Sequence, residues 1–157
     1  MNLSLNLDNN SIEETGAESL LSPLAHLRNL STLVIDLKGN RIKDIGASTL
    51  FLPLVNLINL SILCLNLSMN HIGELGVTSL LTPLTNLKNL SNLKVNLRRN
   101  NIKDTGVKYF YSSLTELTNL SSLELDLSIN EIGSVGAESL LIPLKNLINL
   151  KTISIDL

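Results

Sequence analysis

At 157 residues the chain has room for one ordinary domain with a sizeable core. A formal charge of −2, with 17% charged residues, is too small to predict affinity for nucleic acid or membrane as a bulk property. The single cysteine, Cys64, excludes an intrachain disulfide, and MNLSLNLDNN lacks the basic start and unbroken apolar run of a signal peptide or anchor.

The first predicted element is a strand on Leu3, Leu5 and Leu7, whose alternation with polar residues is the period-two mark of a half-buried strand. A turn at Asn10 follows, and Ile12 re-enters the core. Glu14 then stands where a carboxylate caps a helix start, and Ala17, Leu20, Leu24 and Leu27 follow at helical spacing. Pro23 breaks that helix and opens a second short turn, with Ser22 as its N-cap. Asn29 suits a left-handed helix terminus, as do Asn59, Asn89, Asn119 and Asn149 in the later units.

Thirty residues later the same elements begin again. Leu33, Ile35 and Leu37 form the next strand, Gly39-Asn40 the turn, Asp44 the helix start and Pro53 the break. Asn10, Asn40, Asn70, Asn100 and Asn130 keep this interval without an insertion, as do Gly16, Gly46, Gly76, Gly106 and Gly136. Glu74, Asp104 and Ser134 match Asp44, and Thr82 matches Ser22. The fourth unit has Ser112-Ser113 in place of proline and is expected to run straighter. Ile153, Ile155 and Leu157 close the chain on a sixth strand. A strict period of this length specifies a solenoid. The expected organisation is one domain over 1–157: units of about 1–29, 30–59, 60–89, 90–119 and 120–149, then a strand at 150–157, without polar caps.

The run Leu-x-Ile/Leu-x-Leu-x-x-Asn-x-Ile, followed by Gly-Ala or Gly-Val and a leucine, resembles the leucine-rich repeat family over the whole chain. Its strand-plus-helix form is similar to the ribonuclease-inhibitor-like class, and NLSNLKVNLRRNNI resembles repeats of ciliate and other protist proteins. The family's first leucine falls here on Thr32, Ile62, Asn92 and Ser122, so binding residues of relatives do not transfer. The resemblance implies an α/β horseshoe arc, with a concave parallel sheet and short convex helices. The N-terminus without signal or anchor, together with the Asn-Leu-Ser triplets, reads as a cytoplasmic, intracellular protein, a place in a cytoskeletal or ciliary assembly being among the options. Asn-Leu-Ser recurs at Asn29, Asn59, Asn89 and Asn119 between two core leucines, where a glycan would interfere with stacking.

Positions identical in every unit serve the fold; variable outward positions are free to serve a partner. The Asn10-to-Asn130 column is read as a structural ladder. The outward column Asn6, Asp36, Asn66, Asn96, Asp126 and Asp156 is read as structural too, because a flat row of side chains does not surround an ion. The variable columns converge on the fourth unit. It carries Lys94, Arg98, Arg99, Lys103 and Lys108 against Asp104 and Glu116, and the fifth unit is acidic. Arg99 lies between Met69 and Ile129, two apolar residues the fold does not need there. The candidate partner-binding residues on the concave face are Lys94, Arg98, Arg99, Met69, Ile129 and Glu124. The competing reading is a solvated surface in which Lys94 pairs across strands with Glu124. Tyr109 is the one convex-face candidate, and Tyr111 is read as packing.

The search for catalytic, cofactor or metal chemistry returns none. His26, His71 and Cys64 have no base, carboxylate or ligand at a repeated offset, and Arg41, Arg98 and Arg99 have no support as a GTPase-activating finger. The expected function is a non-catalytic protein–protein interaction scaffold, a component or fragment of a larger assembly whose further repeats or other subunits cover its ends. The alternative is the regulatory repeat module of a kinase-like or GTPase-regulating protein. Nucleic-acid binding through the fourth unit is disfavoured for want of exposed aromatics, and no membrane partner is expected.

Overall fold

The computed structural model describes residues Met1–Leu157. Six strands, β1 (Asn2–Asn6), β2 (Thr32–Asp36), β3 (Ile62–Asn66), β4 (Asn92–Asn96), β5 (Ser122–Asp126) and β6 (Thr152–Asp156), form one open parallel sheet in sequence order. Every strand pairs with the next at the 30-residue offset, so Leu3, Leu33, Leu63, Leu93, Leu123 and Ile153 lie in one row. The register follows from the pleat. A slip of one residue would turn Leu33 and Ile35 outward and bring Val34 and Asp36 into the core.

Each return path carries a short helix: α1 (Glu13–Leu20), α2 (Lys43–Leu50), α3 (Glu74–Leu81), α4 (Lys103–Val107) followed by α5 (Tyr109–Thr115), and α6 (Ser134–Leu141). Helices this short are marginal alone and are held by the apolar stripe they bury. Leu50, Leu80, Phe110 and Leu140 stack as one such row, all at most 1% exposed. Beyond the helix, proline sits in the first turn of a 3-10 helix at Ser22–His26, Leu52–Asn56, Thr82–Asn86 and Ile142–Asn146. The unit without proline continues as α5, and the buried Ser113 donates its hydroxyl to Leu81 O at 3.0 Å. Strands spaced about 4.8 Å apart opposite helices roughly 10 Å wide curve the stack with the sheet inside.

Three polar ladders run across the units. In the first, Asn70 Oδ1 accepts from Asn40 N (2.9 Å) and Ile42 N (3.3 Å), while its Nδ2 donates to Leu37 O (2.8 Å) and Ser68 O (3.1 Å). Asn40 and Asn100 repeat these links, and Asn130 repeats them without the bond from the preceding ladder asparagine, its Oδ1 accepting from Ile102 N alone. In the second, Asn59, Asn89, Asn119 and Asn149 each donate Nδ2 to a carbonyl 31 residues back. None of these four has a positive φ, so they are links between units and not left-handed helix ends. The third ladder is made by the serine two residues on: Ser61 Oγ donates to Ser31 O, Ser91 Oγ to Ser61 O and Ser121 Oγ to Ser91 O, each at 3.0 Å.

The helix starts also differ from expectation. Asp44 does not cap its own helix. Its Oδ1 accepts from Gly73 N (2.6 Å) and Gly76 N (3.0 Å) at the start of α3, one unit on, and Asp104 reaches Gly133 N (2.7 Å) in the same way. A Cβ at Gly76 would lie 2.5 Å from that carboxylate oxygen, so glycine makes the room for it. Ser22 and Thr82 do not cap the second turn either. Their hydroxyls donate backward, to Ser19 O and Thr78 O. Tyr111 is 45% exposed where Phe51 and Leu81 are buried, and it does not pack as its column predicts.

Candidate partner-binding surface

The turn after each strand decides what the candidate surface presents. Asn6, Asp36, Asn66, Asn96 and Asp126 each accept, through Oδ1, the backbone N–H two residues on. These are Asx turns, and they occupy the outward polar column in the first five units. The residue directly after that donor then adopts a left-handed backbone in every unit: Asn9 (φ 55°), Gly39 (67°), Met69 (60°), Arg99 (56°) and Ile129 (59°). The first two are residue types that tolerate this region; the last three are not, and a β-branched residue there is an outlier. Sequence reading missed this column as a backbone feature, although Asn9 and Gly39 signalled it.

Continuation of the sheet hydrogen bonding past the strands holds the three side by side. Met69 N donates to Arg98 O at 3.0 Å and Arg99 N to Ser128 O at 2.9 Å. Met69 and Ile129 remain 38% and 58% exposed. Two shallow depressions meet at Met69 and Arg99. One, on the strand side, is lined by Lys38, Ser68, Asn96, Arg98 and Ile129; the other, on the turn side, by His71, Asn100 and Asn101.

The charges divide into compensated and free. Lys94 Nζ meets Glu124 Oε1 at 2.6 Å across β4 and β5, and this bond raises the lysine pKa above its ordinary value. Burial pushes the neighbouring Cys64 thiol up, while Lys94 pulls it down. Arg98 Nη1 donates to Ser128 Oγ at 2.6 Å, and Ser128 in turn donates to Asp126 Oδ1 at 2.6 Å. Lys38 and Arg99 form no ion pair. The depression at the other end of the arc joins Glu13 and Glu14 to Arg41 and Lys43, which pair with one another. Thus Arg98, Arg99, Met69 and Ile129 come together at the rim of the sheet, whereas Lys94 and Glu124 form a self-neutralised pair on its inner face.

No three His, Cys, Asp or Glu side chains gather as a metal-holding group. His26 and His71 are exposed and stand apart from Cys64. No helix is long and apolar enough to cross a membrane.

A parallel sheet in sequence order, helices on the return paths and an asparagine ladder at each turn define a solenoid of strand–turn–helix repeats. The "Leucine Rich repeat" family profile matches residues 26–51, 59–81, 89–110 and 119–141, more than half of the chain, and the protein belongs to that family. No curated protein matches it in sequence. Among solved structures it is similar to the crystal structure of an internalin C2 from Listeria monocytogenes. The identity is 23% over 98% of this chain and 80% of that one, with a TM-score of 0.45.

Proposed function

We propose that this chain is a non-catalytic protein-interaction scaffold, within a larger assembly, that engages its partner through the rim of the sheet at the third to fifth units. One observation carries this reading. The polar side chains repeated in every unit are consumed by hydrogen bonds within the chain, whereas Met69, Arg99 and Ile129 vary, face outward and contribute nothing to the core. Arg98 belongs to the same surface, and Lys94 with Glu124 flanks it. The strand-plus-α-helix unit with Gly-Ala or Gly-Val favours the ribonuclease-inhibitor-like class. A single domain of five units and a final strand fits the unbroken register. Leu141 and Ile153 are about half exposed where Leu81 and Leu123 of the same columns are buried, which suits a covering repeat or subunit. An intracellular setting fits the use of the Asn59, Asn89 and Asn119 amides as links between units, where a glycan would crowd the stacked neighbour.

The test is affinity capture with chemical crosslinking from native cell extract, using the parent and a Lys94→Glu/Arg98→Glu/Arg99→Glu variant of matching circular dichroism. A partner captured by the parent and lost by the variant supports the reading. Equal capture by both, or none by either, removes it.

A further inference from the structure

The three residues at the rim are poor choices for the backbone they occupy. Asn9 and Gly39 hold the same left-handed turn in the first two units, so the fold accepts small, locally bonding residues there. Met, Arg and Ile in that region are strained, and exposed side chains gain no packing in return. Ser11, Arg41, His71 and Glu131 two residues on are left-handed as well, as are Glu13, Lys43 and Lys103, so this backbone belongs to the turn of every unit and it is the side chains, not the strain, that single out the rim. The three side chains have a combined chemistry. Arg99 carries a planar, permanently charged fork that no acidic group of this chain engages, and it is bracketed by a thioether and a branched alkyl group. Arg98 stands beside it, pinned by Ser128, and Lys38 lies across the depression without an ion pair.

Resting on the scaffold reading above, we infer that this rim recognises an acidic peptide segment of a protein partner, one with a carboxylate side chain next to an apolar one. The carboxylate meets Arg99 in a two-pronged hydrogen bond. The apolar side chain lies along Met69 or Ile129, where displaced water strengthens the adjacent ionic contact. The geometry favours a peptide over a nucleic-acid strand, because the exposed rings needed for base stacking are absent from this face: Tyr109 and Tyr111 belong to α5 on the opposite side.

The experiment is a fluorescence-anisotropy titration with labelled peptides of equal length built on Glu-Leu-Glu, Gln-Leu-Gln and Glu-Ser-Glu, and a single-stranded oligonucleotide of matching charge. The Glu-Leu-Glu peptide is expected to bind most tightly. It should weaken about tenfold with Arg99→Gln and weaken again as salt shortens the screening length. The Met69→Asn/Ile129→Asn variant should melt no lower than the parent, because asparagine tolerates the left-handed turn, yet lose the preference for Leu over Ser. The inference is overturned if no peptide binds. It is also overturned if Gln-Leu-Gln or the oligonucleotide binds as well, or if the asparagine variant melts lower and keeps the preference. A partner captured from extract by both the parent and Met69→Asn/Arg99→Gln/Ile129→Asn, but lost by Lys94→Glu/Arg98→Glu/Arg99→Glu, would end this inference while leaving the scaffold reading intact. Failure of capture by the parent would end the scaffold reading itself.

Discussion

Replacing Asn70 by Ala removes the centre of the asparagine ladder, and the structure sets the size of the effect. Asn70 is fully buried, and its Oδ1 is the acceptor for two N–H groups of the preceding unit, Asn40 and Ile42. Alanine leaves both donors without a partner, each at about 1–3 kcal/mol. The Nδ2 side costs less, because Leu37 O keeps the bond from Asn40 Nδ2 at 3.0 Å. A total of about 2–5 kcal/mol follows, the longer Ile42 contact pulling it below the sum of the maxima. In a chain of this size 3 kcal/mol lowers the melting temperature by about 6–12 °C. Asn10→Ala is the internal control. Its side-chain amide donates only to Asp8 O at 3.0 Å on an exposed residue, so the loss is below about 1 kcal/mol. Thermal and urea unfolding of the two variants decide the matter. Equal shifts would refute the claim that cross-unit hydrogen bonding, and not the asparagine residue as such, stabilises the turn.

Asp44→Ala leaves Gly73 N and Gly76 N unpaired and is expected to cost about 1–2 kcal/mol, while Glu74→Ala stays within about 0.5 kcal/mol; urea midpoints compare them. A double-mutant cycle on Lys94 and Glu124, both about half exposed, should give a coupling below about 1 kcal/mol. Because Glu124 holds the Lys94 pKa above 10.5, that contribution is complete below this pH and disappears as pH rises through the raised value, so the stability difference between parent and Lys94→Gln closes only at high pH. Cys64 should react with iodoacetamide at pH 8 more slowly than free cysteine, and more slowly still in Lys94→Gln, since the ammonium opposes the upward push of burial.

Strands, turns and proline breaks were legible in the sequence because each is local: Leu33 and Ile35 alternate with polar neighbours, and Pro53 cannot lie within a continuous helix. The links between units were not, because their partners lie about 30 residues away. Asp44 reads as the cap of the helix it begins. Only stacking shows that its carboxylate fills the space beside Gly76, although the alternation of Lys43-Asp44 and Lys103-Asp104 with Gly73 and Gly133 carries the signal. Asn59 and Ser61 look in sequence like a glycosylation triplet and a helix end, whereas both side chains bind the previous unit. Tyr111 follows a column of buried residues, yet the α-helical path of α5 leaves its ring outside. At the candidate surface, Met69, Arg99 and Ile129 were visible as variable positions; their shared left-handed backbone was not. The Lys94–Glu124 pair follows from strand register alone, once the 30-residue offset is known.

The most direct measurement is amide hydrogen exchange on the protein with its captured partner bound. The scaffold account predicts new protection at residues 68–71, 98–101 and 128–131, with the helices unchanged. Protection confined to α2, α5 or α6 would contradict it and move the interaction to the convex side.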